Sequence, residues 1–145
     1  EQLLKAIDRA DILVLNDAEA RQLFNTPNLV KAANKALKLH TKAVIIKKGE
    51  HGALLFTDDK HFSAPGYPLE NIKDPTGCGD SFGGALTGYL AKTRDISEKN
   101  IRKAVVYGSV IASFNAEDFS IERLKKINHD DIEKRFREFR AIREF

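Results

Sequence analysis

At 145 residues the chain has the length of one domain, and its 42% apolar content can build a core. A net charge of +3 from mixed acids and bases is a weak nucleic-acid footprint, and there is no membrane-length apolar run or leader-like segment, so neither nucleic acid nor membrane is an expected partner. One cysteine excludes an internal disulfide framework and fits a reducing cytoplasm, and His40, His51, His61 and His129 are scattered, none at zinc-site spacing.

The chain starts without methionine, inside a helix-like pattern carrying Leu3, Leu4 and Ile7, and has no methionine anywhere; it is expected to be a piece of a longer protein. Asp11 to Leu15 is a short, continuously apolar stretch and predicts a buried strand. Asp17 is the expected N-cap of a helix through Phe24. Asn16 and Glu19 then lie at the carboxyl end of a strand, where open α/β sheets place ligands. An amide and a carboxylate there suit hydrated magnesium, although Glu19 also reads as simple first-turn charge.

Asn25-Thr26-Pro27-Asn28 is a break. Leu29, Ala32, Ala33, Ala36, Leu37 and Leu39 form a helical stripe, with Lys31, Lys35, Lys38 and Lys42 as a solvated face. Ala43 to Ile46 is a second buried-type strand, so strand, helix and strand predict a right-handed crossover and parallel pairing. Gly49-Glu50-His51-Gly52 marks a tight turn into Ala53 to Phe56, and Asp58-Asp59 another into His61 to Ala64. These consecutive hairpins predict an antiparallel edge on the sheet.

Asp74-Pro75-Thr76-Gly77-Cys78-Gly79-Asp80-Ser81-Phe82 is the most specific stretch. Pro75 fixes one backbone angle, and Gly77 and Gly79 permit unusual angles and close approach. A helix starting there points free N–H groups at one spot, which suits a phosphate. A carboxylate beside that spot repels phosphate; Asp80 is better placed to take a proton from a hydroxyl that attacks it. After that helix Ser97 is a good N-cap for Glu98 to Phe114. Gly108 inside it costs about 1 kcal/mol relative to Ala and implies close approach by a neighbouring helix or an adenine ring. Asp130 or Asp131 starts a last helix with Ile132, Phe136, Phe139 and Ile142 on one stripe.

Asp-x-Thr-Gly-x-Gly-Asp at residues 74–80 resembles the signature of the ribokinase-like, or PfkB, family of carbohydrate and nucleoside kinases. The spacing of Asn16 and Glu19 resembles that family's Asn-x-x-Glu, and Gly49 to Gly52 its Gly-x-x-Gly turn. The family order is kept, although Cys78 stands where Ala is common. The resemblance implies an α/β, Rossmann-like three-layer ribokinase-type fold with a mostly parallel sheet and an antiparallel hairpin edge. Residues 1–145 would be its carboxy-terminal nucleotide-binding and catalytic part, inactive alone, with the upstream substrate and lid part absent.

The same resemblance implies ATP as co-substrate and a sugar, sugar phosphate or nucleoside as acceptor. Asp80 would be the general base, with the N–H groups of Gly77, Cys78, Gly79 and Asp80 as an anion hole. Lys47 (Lys48 as fallback), Gly49, Gly52, Gly108 and Ser109 would line the nucleotide, although Tyr107-Gly108-Ser109 departs from the family's Tyr-Gly-Asn. Asn16 and Glu19 would hold Mg2+ through water, and Asp74 and Thr76 a monovalent cation such as K+. The oligomeric state is left open, a homodimer included. Two rivals are a non-catalytic nucleotide-binding module or inactive fragment, and a different enzyme using Cys78 as nucleophile.

Overall fold

The computed structural model describes residues 2–144, which fold as two compact units divided between Ser63 and Ala64. The first carries the sheet and the second is mainly helical.

In the first unit, α1 (Gln2–Ile7) leads to β1 (Ile12–Asn16), α2 (Asp17–Leu23), α3 (Leu29–Leu37) and β2 (Ala43–Lys47). A 3-10 turn at Gly49–His51 joins β2 to β3 (Ala53–Phe56), and β4 (His61–Ala64) follows. The sheet order is β1-β2-β3-β4. β1 and β2 pair in parallel, with Val14 opposite Ile45, and β2 and β3 pair antiparallel, with Ile46 opposite Leu54. The fold is therefore α/β with a mixed sheet: a helical crossover joins the parallel pair, and tight turns make the antiparallel remainder.

Ala43 to Ile46 are wholly buried, as a strand flanked on both sides requires. Val44 and Ile46 pack with Ala20, Phe24, Ala32, Ala33, Ala36 and Phe56. The three α3 alanines bring that helix backbone close to the sheet, and each buried Val or Ile contributes about 1.5–3 kcal/mol over an exposed one. β1 is only half-buried, because it is the edge of this sheet rather than a strand between neighbours. In α1, Ile7 is buried whereas Leu3 and Leu4 are exposed, so the predicted stripe is covered at one position.

The second unit holds α4 (Cys78–Thr93), α5 (Glu98–Ala116) and α6 (His129–Arg143). Arg94, left-handed at φ 51°, closes α4 with its N–H on the Leu90 carbonyl, 2.8 Å. Asn100 bridges the turn into α5, donating to Thr93 Oγ1 and to the Asp95 carbonyl, both 2.7 Å. α4 and α5 pack as a helical hairpin around Phe82, Leu86, Ile101, Ala104 and Val105, all buried. α6 lies against α5. There Arg135 sits 3.5 Å from the Phe114 ring centroid and pairs with Glu117 at 2.6 Å. Tyr107 stacks between Tyr89 and Phe136 at 4.6 and 4.4 Å.

Three helix starts differ from expectation. Asn16, not Asp17, caps α2; Asp17 is inside the helix, ion-paired to Arg21 one turn on. Asn128, not Asp130 or Asp131, caps α6, and Asp131 returns the bond to the Asn128 N–H at 3.0 Å. Ser97 does precede α5, but its hydroxyl bonds Asp95 at 2.9 Å rather than the helix. In the first two cases an Asn one or more residues upstream already meets the open amides, which leaves the Asp to complement the dipole. Among the described residues no helix is long and apolar enough to cross a membrane.

Candidate active site

In the first unit, parallel pairing sets Asn16 directly opposite Lys47, so the carboxyl ends of β1 and β2 lie side by side. Crossovers that return to the same sheet edge leave loops there free to meet ligands. Glu19 stands in the first turn of α2, above Asn16. The two form a reciprocal cap: Asn16 Oδ1 accepts from the Glu19 N–H and Glu19 Oε2 from the Asn16 N–H, both 2.7 Å. Glu19 Oε1 and the Asn16 NH2 lie outside that pair. One open carboxylate oxygen can meet a hard, hydrated cation directly or through its water shell. Among the described residues no group of three or more His, Cys, Asp or Glu is gathered to hold a metal.

Lys47 ends β2, half-buried, opposite Ala53 of β3. The turn beyond it requires glycine twice, with Gly49 at φ 57° and Gly52 at φ 85°. Lys48 donates its N–H to the Gly52 carbonyl at 2.7 Å, which closes the turn. Thus Asn16, Glu19, Lys47, Gly49 and Gly52 gather at one end of one sheet.

In the second unit, Asp74 to Asp80 form one compact turn. The Thr76 N–H donates to Asp74 Oδ1 at 2.9 Å, and hydrogen bonds from the Thr76 hydroxyl and N–H hold the Asp74 carboxyl below its ordinary range. Gly77, at φ 82°, is the N-cap of α4, a backbone conformation that a side chain would strain. Helix geometry leaves the N–H groups of the first turn without intrahelical partners, and the first inner bond is Ser81 N–H to the Gly77 carbonyl, 2.8 Å. The Cys78 N–H is engaged by the Pro75 carbonyl at 3.2 Å. Of the four expected anion-hole donors, those of Gly77, Gly79 and Asp80 are therefore the ones left for a ligand. Asp80 is exposed in the first turn, one residue before Ser81.

The Cys78 thiol donates to the Ala112 carbonyl of α5 at 3.5 Å. That contact gives it a packing role between α4 and α5. Gly108 is explained by its neighbour: a Cβ there would stand 2.9 Å from Phe82 Cδ2 and 3.0 Å from the Phe82 carbonyl oxygen. The close approach expected at Gly108 is thus made by α4. Ser109 donates its hydroxyl back to the Val105 carbonyl at 3.1 Å, on its own helix. Gly108 and Ser109 lie about two helical turns before the end of α5, whereas the Asp74–Asp80 turn meets that end.

Asn115 does meet it, and nothing in the sequence pattern singled it out. Its side chain is 1% exposed, donates to the Thr76 carbonyl at 2.9 Å and accepts from the Ser81 hydroxyl at 3.1 Å. The expected helix stopped at Phe114, so Asn115 carried no helical position from which its burial could be read.

A family described as pfkB family carbohydrate kinase matches residues 1–123. A nucleoside kinase of Methanocaldococcus jannaschii is 29% identical over 138 residues, covering 87% of this chain and 43% of that protein. The crystal structure of a ribokinase from Thermotoga maritima superposes with a TM-score of 0.75 at 26% identity, covering 93% of this chain and 44% of that one. A ribokinase II from E. coli, solved with ATP and Mg2+, shares the fold at a TM-score of 0.76 and 24% identity, over 94% of this chain and 42% of that one. The chain spans less than half the length of each of these relatives.

Proposed function

From a chain that belongs to the pfkB family of carbohydrate kinases, we propose a phosphotransferase that moves the γ-phosphoryl group of ATP to a hydroxyl of a sugar, sugar phosphate or nucleoside. The observation that carries this reading is the glycine-led start of α4, with open N–H groups and the exposed Asp80 carboxylate in the same turn. Asp80 accepts the proton of the attacking hydroxyl. The N–H groups of Gly77, Gly79 and Asp80 face the charge that develops on the transferred group, each critical donor of this kind being worth about 3–4 kcal/mol in the barrier. Lys47 offsets triphosphate charge as a point cation, and the Gly49–Gly52 turn keeps side chains away from the phosphates. Gly108 and Ser109 lie on the stretch that would border the adenine.

A divalent cation, when bound, neutralises the triphosphate; Asn16 and Glu19 would hold its water shell. A monovalent cation would sit on the Asp74 carboxylate and the Thr76 carbonyl, whose oxygens offer lone pairs beyond the hydrogen bonds they accept. The protein is expected in the cytoplasm.

The test is ADP release with ATP, magnesium, potassium and a panel of sugars, sugar phosphates and nucleosides. It is run on the complete natural polypeptide and on residues 1–145 alone. Substrate-dependent release is expected from the first and not from the second. ATP binding without any turnover by the first would leave a nucleotide-binding module and refute transfer.

Glu19→Gln separates the two roles of that side chain. Glutamine at the third helical position still completes a capping box, so the helix start survives. The variant is expected to need several times more magnesium for half-maximal rate, with an unchanged melting temperature. Superimposable magnesium titrations would reduce Glu19 to a cap.

A further inference from the structure

We propose that Asn115 locks the Thr76–Gly77 peptide with its N–H outward, and so is a positioning residue for the transferred phosphoryl group. The inference rests on the reading of the Gly77–Asp80 turn as a phosphoryl-transfer site.

The argument starts from burial. Asn115 is 1% exposed on α5, at a depth where an apolar residue would pack without the cost of burying an amide. A primary amide at that depth is tolerated only when hydrogen-bonded. Its bonds go to a single turn. Nδ2 donates to the Thr76 carbonyl at 2.9 Å, and Oδ1 accepts from the Ser81 hydroxyl at 3.1 Å. A further contact, Nδ2 to Cys78 Sγ at 3.6 Å, reaches the same turn. The two strong partners bracket Gly77 to Asp80, one just before the anion donors and one just after.

Peptide planarity converts the first bond into a direction. In a trans peptide the carbonyl and the following N–H point opposite ways. With the Thr76 oxygen drawn inward to Asn115, the Gly77 N–H must point outward. Release of that carbonyl lets the Thr76–Gly77 plane rotate, and glycine at φ 82° offers little resistance to rotation. A rotated plane turns oxygen toward the incoming anion where a donor is needed. Asn115 also floors the turn: a Cβ at Gly77 would lie 3.7 Å from its Nδ2.

Two variants of the complete natural polypeptide test this. Asn115→Asp keeps the shape and the acceptor for Ser81 but loses the donor to Thr76. Asn115→Leu keeps volume and loses both. Each is expected to lower kcat about 10–100-fold, the range of a weakened anion-hole donor, while KM for ATP changes less than about threefold. Inhibition by ADP with aluminium fluoride, a mimic of the transferred group, should weaken by the same factor as kcat. In 15N-labelled protein the Gly77 amide should shift on adding that mimic to the parent and fail to shift in Asn115→Asp, a readout that needs no turnover. Parental kcat and a parental Gly77 response in a folded Asn115→Asp would overturn the proposal, as would a loss confined to KM. A parent that neither turns over nor shifts at Gly77 would remove the phosphoryl-transfer reading and this inference with it, an outcome distinct from the first.

Discussion

Asp80→Asn in the complete natural polypeptide is expected to cut turnover about 10²–10⁴-fold, the usual cost of losing a general base. Each factor of ten is about 1.4 kcal/mol of barrier, so the change is about 3–5 kcal/mol. The structural cost should be far smaller. Asp80 is exposed and stands in the first turn of α4, where a carboxylate gains about 0.3–1 kcal/mol from the helix dipole. Asparagine has the same shape and leaves the backbone donors of Gly77 and Gly79 in place. Nucleotide affinity, read by calorimetry, should therefore stay near that of the parent. Turnover within a few-fold of the parent would assign the proton to another group.

Gly108→Ala tests the other glycine that matters, and here two effects oppose. Alanine is better than glycine inside a helix by about 1 kcal/mol. Its Cβ, however, would meet the Phe82 ring at 2.9 Å and the Phe82 carbonyl at 3.0 Å. The ring can turn, but the carbonyl belongs to α4 and moves only with the helix. Overpacking of this kind costs about 1–3 kcal/mol, so the net expectation is destabilisation of up to about 2 kcal/mol. Gly108→Val should be worse, because a branched side chain loses the propensity gain and adds bulk. Thermal or denaturant unfolding checks the order parent, Ala, Val. An alanine variant more stable than the parent would show that α4 yields freely.

What could be read in advance follows from the range of the interactions. The Asp74–Asp80 turn was legible because proline, two glycines and a helix start act within a few residues of one another. The β2–β3 turn was legible for the same reason, since positive φ at Gly49 and Gly52 demands glycine locally. The parallel pairing of β1 with β2 followed from strand, helix, strand. The capping residues were less legible, because Asn16 and Asp17, or Asn128 and Asp130, are equally good caps by type, and only geometry decides which meets the amides. The half-burial of β1 depends on its place in the sheet rather than on its own residues. Asn115 was hidden most completely. Its partner Thr76 is 39 residues away, and no periodicity connects them.

That separation has a kinetic side. α4 and α5 are consecutive, and the hairpin closes at Arg94 to Ser97, where Asn100 ties Thr93 to Asp95. Contacts near that turn close short loops and form early, and each later pair extends the zipper toward the opposite end. The Gly77–Asp80 turn lies at that opposite end, where a helical hairpin frays first. The bonds from Asn115 act there as a clasp between the start of α4 and the end of α5. The Gly77–Asp80 turn thus lies at the end of the hairpin farthest from its closing turn, and one buried amide ties it to α5 there.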